Sequence, residues 1–395
     1  MVATLIPAAR LHPSEEVSAP PRWVPCLPTL WPSMLRPRVV AARASAPFPL
    51  AGPRTRAFYF ARNAVFHGVR LLGLAGAEIL VPAYHHGVEV EALEAAGAQL
   101  RFVRVDGRMR LDLEDLERRV GARTRAIYVI HYAGFPQPMD ELLGIARRHG
   151  LHVVEDCALA LLSRDGAVPL GSQGDLGVFC LYKTVPVPNG GILAVNADLP
   201  LPPEPAPAPL GSTLSHAVGG LLANAAVRLG WPGAALRQAL RAANRAVRRG
   251  TGAAPVSTGT RHFDPAAAGL GMSALSRTVL RNLDPEAIVA ARRRNYFLLL
   301  GRLRDVSPPV FSELPPGVCP LFYPLVVADK PGLRARLAAL GIETVDFWRT
   351  HHPSCPEGAY PEVDLLRRRV LELPIHQDLG PDDVAFVARA VEESL

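Results

Sequence analysis

Apolar segments and segments of helical periodicity alternate along this chain between residues 78 and 196. The apolar segments have the length of buried strands, and the segments between them repeat apolar residues at helical spacing. Strands that alternate with helices form a parallel or mixed sheet covered by helices, so we predict a three-layer α/β domain. The predicted strands are residues 78–82, 100–105, 126–132, 151–155, 177–181 and 192–196, and the predicted helices are residues 64–72, 88–96, 113–120 and 139–149.

The fourth predicted strand ends in two carboxylates. Glu155 and Asp156 directly follow the apolar segment 151–154. A parallel strand that ends in acids brings them to the carboxyl edge of the sheet, where open α/β folds bind their ligands. Asp156 is therefore a candidate functional residue, and the alternative is an acid that caps the strand or the start of a helix.

Lysine is rare in this chain, and its rarity singles out Lys183. The sequence contains 43 lysines and arginines, and only two of them, Lys183 and Lys330, are lysines. Arginine replaces lysine in most surface roles, but it keeps its proton and therefore does not form an imine with an aldehyde. Lys183 is thus a candidate for amine chemistry such as Schiff-base formation with pyridoxal phosphate. Lys330 lies in a sequence typical of a turn, at 328–332, and we interpret it as a surface lysine.

The segment from residue 155 to residue 191 resembles one known family. It contains, in order, Glu155-Asp156, Ala158, Gly171-Ser172-Gln173-Gly174-Asp175, Phe179, Lys183 and Gly190-Gly191. This order is similar to that of the DegT–StrS family of pyridoxal-phosphate-dependent sugar aminotransferases, which have the aspartate aminotransferase fold. The similarity covers roughly residues 58–198 and returns more weakly from about residue 272 to the C-terminus. Because the motifs occur together in one order, the resemblance is more specific than any single motif.

The resemblance implies a fold and a reaction. The expected fold is a pyridoxal-phosphate (PLP) transferase large domain, with a three-layer mixed sheet, followed by a smaller C-terminal α+β domain. The expected reaction transfers an amino group from glutamate to a keto sugar carried on a nucleotide, in polysaccharide or antibiotic biosynthesis. Lys183 would hold PLP as a Schiff base and then move a proton as general base and acid. Asp156 would keep the pyridine nitrogen protonated, and the enzyme would be a homodimer.

The resemblance also implies further cofactor-binding residues. Asn63 and Ala64 occupy the positions where the family binds the cofactor phosphate, at the start of a predicted helix whose free N–H groups attract anions. The alternative for Asn63 is an ordinary helix cap. The sequence Tyr84-His85-His86 follows a predicted strand, in the loop where an aromatic residue of the family stacks on the cofactor ring. His86 matches that aromatic residue best, and Tyr84 is the alternative. Two histidines without neighbouring acids or cysteines do not predict a metal site.

Two positions depart from the pattern of the family. The family usually has Gln or His three residues after the aspartate, near the phenolic oxygen of PLP, and this chain has Leu159. The family usually has Ser shortly before the lysine as a phosphate ligand, and here Cys180 lies near that position, with a weakly donating thiol. These departures leave open a non-catalytic regulatory or partner protein that keeps the PLP fold. A PLP-dependent sugar dehydratase is a further alternative, which Lys183 disfavours because such relatives have histidine there.

Composition and charge disfavour several other classes of protein. The five cysteines are scattered without a CxxC pair, which argues against a disulfide framework and a zinc site. No apolar segment reaches the length of a membrane span and residues 1–57 lack the features of a secretion signal, so we predict a cytoplasmic protein without a membrane partner. The net charge of +7 occurs without a nucleic-acid-binding motif, and we predict no nucleic-acid partner. An anionic substrate such as a nucleotide sugar also suits this charge.

These patterns divide the chain into four regions. Residues 1–57 are rich in Pro, Ala and Arg and are predicted to be irregular, whereas residues 58–198 form the PLP-binding large domain. Residues 199–260 combine a proline-rich linker with a basic helical insertion. Residues 261–395 contain a long connecting helix and the small domain.

The insertion contains arginines at helical spacing, namely Arg237, Arg241, Arg245 and Arg248. Such a helix binds an anionic membrane surface or a partner, or it packs on its own protein. We favour packing on its own protein.

Further polar residues follow predicted strands. His131, Tyr132 and Gly134 lie at the end of one strand of the large domain and should border the pocket. His376 lies in a loop of the small domain, where it could contact substrate. For each histidine the alternative is a structural role with its hydrogen bonds satisfied inside the protein.

Overall fold

A mixed seven-stranded sheet forms the centre of the large domain. The computed structural model describes residues 22–36, 46–230, 232–233, 239, 262–346 and 348–395. The strands of the sheet are β1 (Thr55–Phe58), β2 (Glu78–Pro82), β3 (Gln99–Val103), β4 (Thr124–Ile130), β5 (His152–Cys157), β8 (Leu176–Cys180) and β9 (Gly191–Val195). Two short strands, β6 (Arg164–Asp165) and β7 (Val168–Pro169), form a separate hairpin.

The strands lie across the sheet in the order β1-β9-β8-β5-β4-β2-β3. The five strands from β8 to β3 are parallel, whereas β9 pairs antiparallel with both β8 and β1. Parallel strands bring their carboxyl ends to one edge, and the ends of β4, β5 and β8 are neighbours there. The prediction of a mixed sheet in an α/β large domain is confirmed.

Helices pack against this sheet. In the large domain they are α1 (Ala61–Leu71), α2 (Val88–Ala95), α3 (Leu113–Arg119) and α4 (Met139–His149). The sequence of α4 explains its position, because its apolar residues recur at helical spacing and are buried. Basic residues fill its last turn, and Gly150 ends the helix in the left-handed conformation, with φ of 64°.

All six predicted strands are present, and their ends differ from the predicted ends by at most two residues. The helices α2, α3 and α4 match within one residue, whereas α1 begins at Ala61, three residues before its predicted start. Strand β1 was not predicted, although it pairs with β9 at the edge of the sheet. Its sequence, Thr-Arg-Ala-Phe, contains one large apolar residue, so periodicity did not reveal it.

A long helix follows the proline-rich linker. Residues 199–209 form neither helix nor strand, and α5 (Leu210–Leu229) begins directly after them. The predicted basic helix, with Arg237 to Arg248, lies outside the described residues. Where the structure describes the chain, none of its helices has both the length and the apolar content needed to cross a membrane.

The C-terminal part of the chain forms a second core. After α6 (Ala274–Arg281), the predicted long helix is present as α7 (Pro285–Leu303), and the Asp284 side chain caps its N-terminus. The remaining elements are β10 (Phe322–Val326), α8 (Lys330–Ala339), α9 (Pro361–Arg369), β11 (Val370–Pro374) and α10 (Pro381–Ser394). The two strands pair antiparallel, and Leu299, Leu333 and Leu373 belong to one apolar cluster beneath them.

Lys330 does not lie on the surface, and that prediction is wrong. Its side chain is 4% exposed, its Nζ lies 2.6 Å from Oδ1 of Asp346, and it donates to the carbonyl of Arg367 at 3.1 Å. The sequence that was interpreted as a turn starts α8, with Asp329 as the N-cap and Pro331 in the first turn. Asp, Pro and Gly occur in turns and also at helix N-termini, so this sequence did not distinguish the two.

Candidate active site

A cavity of about 390 Å³ lies at the carboxyl ends of β4, β5 and β8. Lys183, Asp156, His86 and Cys180, all predicted to act on a cofactor, line this cavity together with Leu159. These residues come from separate elements of the large domain, and the order of the strands brings them to one place. Three other predicted residues, Asn63, Ala64 and Tyr84, do not line it.

Asp156 is held in place by two hydrogen bonds. The hydroxyl of Tyr128 donates to its Oδ2 at 2.7 Å, and the backbone N–H of Ala158 donates to its Oδ1 at 2.8 Å. Burial raises the pKa of the Asp156 carboxyl, and the carboxyl of Glu89 raises it further, whereas the two hydrogen bonds and Lys183 act in the opposite direction. A positive charge that enters the cavity beside Asp156 therefore favours the carboxylate form.

Lys183 lies in the turn that follows β8. The backbone N–H groups of Thr184 and Val185 both donate to the carbonyl of Leu181, at 3.0 and 2.9 Å, and close this turn. Farther along, a Cβ atom on Gly191 would lie 2.3 Å from the carbonyl carbon of Phe60. Only glycine permits this approach, which brings the start of β9 against the residue before α1. The Gly-Gly motif thus joins the lysine turn to the start of α1.

His86 and Tyr84, the two alternatives for the residue that stacks on the cofactor, have different surroundings. His86 lines the cavity, and burial, followed by the charge of Lys183, lowers the pKa of its imidazole to about 4. Its ring is therefore neutral at pH 7. Tyr84 is 1% exposed and packs against Tyr132 and Trp348, with ring centroids 5.5 and 4.5 Å away. The geometry favours His86.

The two residues predicted to bind a phosphate lie behind the cavity wall. Asn63 is 2% exposed and its Nδ2 donates to the carbonyl of Ala267 at 2.9 Å, and Ala64 belongs to the hydrophobic core. The preceding residues, Ala61 and Arg62, line the cavity in the first turn of α1. Successive residues of a helix point about 100° apart, so assigning the phosphate to Asn63 instead of the preceding Arg62 selects a different face of the helix.

Arg62 is a cation of the cavity that the sequence did not single out. Its guanidinium carbon lies 4.0 Å from the centroid of the Phe60 ring. Burial lowers the pKa of Arg62, and the neighbouring Tyr182 and Cys180 partly offset this effect. Among the residues that the structure describes, no carboxylate forms an ion pair with Arg62. A partly buried cation without a paired carboxylate, next to free helix N–H groups, suits an anionic ligand. Arginine is so common in this chain that the sequence alone does not single out Arg62.

Glu89 is a second acid of the cavity, and no motif indicated it. It lies in the first turn of α2, and its Oε1 accepts the backbone N–H of His86 at 2.7 Å. Burial raises the pKa of the Glu89 carboxyl, while backbone N–H groups and Lys183 act to lower it. An acid in the first turn of a helix is common, which is why the sequence gave no reason to select it.

Cys180 lines the cavity where the family usually has a serine. Burial raises the pKa of its thiol, with the charge of Lys183 acting in the opposite direction. The thiol therefore stays neutral and donates weakly. Leu159 adds an apolar surface to the same cavity, so the two departures from the family pattern lie at the site itself.

The histidines predicted near the pocket have structural surroundings. His131 is fully buried, and neither His131 nor Gly134 lines the main cavity, so the prediction for these two residues is wrong. Tyr132 lines a small cavity of about 20 Å³ that shares Leu159, Phe322 and Trp348 with the main cavity. His376 is also buried, with Nε2 at 3.0 Å from the carbonyl of Pro25.

A network around Glu155 explains the position of His131. The carboxylate of Glu155 accepts the backbone N–H groups of Gly171, Gln173 and Gly174 at 2.8, 2.7 and 2.6 Å. Its Oε2 also lies 3.1 Å from Nε2 of His131. His131, Glu155 and Cys157 lie close enough together to hold a metal ion, but the Glu155 oxygens already accept these hydrogen bonds. The network is therefore a structural clamp on the loop between β7 and β8.

The cavity continues into a wider cleft that contains both basic and acidic side chains. A neighbouring cavity of about 660 Å³ shares Arg334, Asp346 and Trp348 with the first one. Its other lining residues include Arg349 and His352. The two cavities share lining residues and form one cleft. Lys183 lines the first cavity, and the second contains two arginines, of which Arg334 pairs with Asp346 at 3.3 Å.

Comparison with solved structures defines the class of fold. The chain superimposes on a DegT DnrJ EryC1 StrS aminotransferase from Brucella abortus with a TM-score of 0.62, over 86% of this chain and 85% of that one. The two sequences are 20% identical, so the comparison establishes the fold. The fold is that of a PLP-type transferase, as the resemblance implied.

Sequence comparison shows what the chain is similar to. Residues 60–199 match the model of the DegT/DnrJ/EryC1/StrS aminotransferase family, which confirms the predicted resemblance. The chain is 34% identical over 129 residues to a UDP-N-acetyl-3-dehydro-alpha-D-glucosamine 3-aminotransferase of Acidithiobacillus ferrooxidans, covering 32% of this chain and 35% of that relative. It is 29% identical over 343 residues to a dTDP-3-amino-3,4,6-trideoxy-alpha-D-glucose transaminase of Streptomyces venezuelae, covering 82% of this chain and 78% of that relative. The match thus spans about a third of the Acidithiobacillus relative.

We predict that the Glu155 network stabilises the protein in a pH-dependent way. Burial opposes ionisation of Glu155, but His131 and the loop N–H groups outweigh it and lower the pKa of this carboxyl from its usual 4.5. A carboxyl whose pKa is lower in the folded than in the unfolded protein stabilises the folded state at a pH above its unfolded pKa. This stability is lost as the pH falls below about 4.5. Glu155→Gln should therefore lower the free energy of unfolding by roughly 2–4 kcal/mol at pH 7, and by less at pH 3.5.

The control is Glu89→Gln. Burial raises the pKa of Glu89, so its contribution to stability changes with pH in the opposite direction to that of Glu155. The parental protein should gain stability relative to Glu89→Gln as the pH falls. Urea unfolding of the three proteins from pH 3.5 to pH 7 measures both trends. A stability difference between the parental protein and Glu155→Gln that does not change with pH would contradict this assignment.

Proposed function

We propose that this protein is a PLP-dependent aminotransferase that transfers an amino group, with glutamate as donor, to a keto sugar carried on a nucleotide. The observation that carries the proposal is that Lys183 and Asp156 line one cavity at the carboxyl edge of the sheet. The Acidithiobacillus and Streptomyces relatives are named as aminotransferases of UDP- and dTDP-linked sugars, which supports the substrate class.

The residues of the cavity fit PLP. The Lys183 amine suits the aldehyde, the Asp156 carboxylate suits the ring nitrogen, and the neutral His86 ring suits the face of the pyridine. Arg62, with the N-terminus of α1, suits the phosphate. When bound, PLP supplies an electron sink for the charge that develops at the substrate carbon.

The roles of Lys183 and Asp156 follow from their chemistry. Lys183 would hold the cofactor through its aldehyde, and its Nζ would serve as the general base and acid that moves a proton at the substrate carbon. Asp156 would hold the proton on the ring nitrogen, and a positive charge there would favour the ionised form of this buried carboxyl. Tyr128 orients the carboxylate through its hydrogen bond to Oδ2.

The outer cleft supports an anionic substrate. Two arginines, Arg334 and Arg349, line it within one continuous space that leads to Lys183, and Asp346 pairs with Arg334 there. A nucleotide sugar has its diphosphate on the far side of the sugar from the reacting carbon. The arrangement therefore allows the sugar to lie in the inner cavity while the diphosphate lies among the cationic side chains.

A non-catalytic protein that keeps the PLP fold is the second candidate. Leu159 and Cys180 favour it, because each removes a strong hydrogen-bond donor from the cavity. The presence of both Lys183 and Asp156 in that cavity argues against it. The homodimer that the resemblance implies stays a prediction, and so does the cytoplasmic location.

We predict that PLP attaches to Lys183. Borohydride reduction of the PLP-loaded protein, followed by mass spectrometry of its peptides, should place a pyridoxyl group on Lys183 alone. Lys330 is engaged with Asp346 and should remain unmodified. Lys183→Arg is the matched control, since it keeps the charge but does not form the covalent bond. Modification of Lys330, or an unmodified Lys183 in PLP-saturated protein, would contradict the proposal.

We predict that Arg62, and not Asn63, anchors the cofactor phosphate. In a Lys183→Ala background, where only non-covalent binding contributes, Arg62→Met should weaken PLP binding at least about tenfold, a loss of ~1.4 kcal/mol. Asn63→Ala should change the affinity less than about threefold, because the Asn63 amide already donates to Ala267. Fluorescence titration with PLP measures both. An equal loss of PLP affinity in the two variants would contradict this assignment.

A further inference from the structure

A segment near the N-terminus forms part of the cavity wall. Residues 22–30, here called the strap, precede the first strand of the sheet and form neither helix nor extended sheet strand. Two of its residues, Cys26 and Leu27, line the cavity that contains Lys183. The segment was predicted to be irregular, and no function was assigned to it.

The first half of the strap is bound to the small domain. The backbone N–H of Val24 donates to the carbonyl of Gly341 at 2.9 Å, and the N–H of Glu343 donates to the carbonyl of Val24 at 2.8 Å. His376 contacts the carbonyl of Pro25. This hydrogen bond to the strap explains why His376 is buried and does not line the cavity.

The second half of the strap is bound on two sides. The backbone N–H and the hydroxyl of Thr29 both donate to Oδ2 of Asp378, at 2.7 and 2.9 Å. The amide of Asn224, on α5, donates to the Thr29 hydroxyl at 3.0 Å. Leu30 is 2% exposed and packs in a cluster with residues of the large domain.

Cys26 and Leu27 therefore lie between two fixed points. Residues on both sides of them are buried and hydrogen-bonded, whereas these two are only partly buried and face the cavity. The adjoining wall is Thr344 and Val345 of the small domain, and the Thr344 hydroxyl is buried without a hydrogen-bond partner among the described residues. A segment fixed at both ends holds its middle residues in a defined position at little further cost in entropy.

We infer that the strap is the substrate-selecting wall of the active site, and that Cys26 and Leu27 contact the substrate carbon skeleton. This inference rests on the proposed function. The residues suited to PLP all belong to the large domain, so the strap and the small-domain wall border the remaining space, where substrate enters. Leu27 and the Cys26 thiol offer no strong hydrogen-bond donor, so they suit a C–H surface, whereas the Thr344 hydroxyl suits a substrate hydroxyl or carbonyl.

The test uses the full-length, PLP-loaded protein and its reaction with L-glutamate and with L-glutamine. Leu27→Trp should leave the absorbance of bound PLP unchanged, because Leu27 is not one of the residues that suit the cofactor. It should raise the KM for the amino donor at least about tenfold with little change in kcat, because it narrows the space for substrate. Leu27→Met should restore the parental KM, since it conserves the volume.

The matched control is Ser33→Trp, which places the same side chain on an exposed position just beyond the strap. Its KM should equal that of the parental protein. The proposed function is tested by whether the parental protein binds PLP and reacts with a donor. The inference about the strap is tested by the comparison of Leu27→Trp with Ser33→Trp. If neither donor reacts with the parental protein, the proposed function and this inference fail together. If Leu27→Trp has the parental KM, the inference alone is overturned.

A second measurement avoids any effect of mutation on folding. Cys26 is partly exposed, whereas the other four cysteines are buried. N-ethylmaleimide should therefore modify Cys26 selectively in the folded protein, and the modified protein should show the same rise in KM. Selective modification without a change in KM would overturn the inference, even if Leu27→Trp did not fold.

Discussion

The carboxylate of Glu155 holds the end of β5 against the loop that leads into β8. It accepts three backbone N–H groups of that loop and contacts His131 at the end of β4, all within the protein interior. Three neighbouring segments thus meet at one buried charge, which is stable only because its hydrogen bonds are satisfied. Asp156 is the next residue, so this clamp fixes the carboxylate that faces the cavity, and the loop that it holds leads to the strand before Lys183.

Much of the large domain could be predicted from the sequence, because its strands are short apolar segments separated by clear helical periodicity. The same periodicity placed Asp156 at a strand end and Lys183 beyond the next strand, and both lie in one cavity. His86, which the resemblance selected, also lines this cavity, because a loop after a parallel strand opens at the carboxyl edge. Strand β1 was missed because its residues have no alternation of apolar and polar side chains.

The failures have physical causes that sequence patterns do not contain. The direction of a side chain at a helix start changes by about 100° with each residue, so Arg62 faces the cavity where Asn63 was expected. Burial of Lys330 depends on Asp346, and the contact of the strap with the cavity depends on Asp378. Asp378 is 349 residues from its partner Thr29, and contacts of this length leave no local signal in the sequence.

The most direct test of the account is the reaction of Asp156→Asn with an amino donor, followed by stopped-flow absorbance. The amide should leave covalent attachment at Lys183 intact, because that bond needs only the amine and the aldehyde. It should slow conversion to the pyridoxamine form at least about a hundredfold, which corresponds to ~2.7 kcal/mol of transition-state stabilisation. Tyr128→Phe, which keeps the carboxylate and removes one hydrogen bond, should slow the reaction less. If Asp156→Asn reacts at the parental rate, Asp156 does not face the ring nitrogen and the proposed position of the cofactor is wrong.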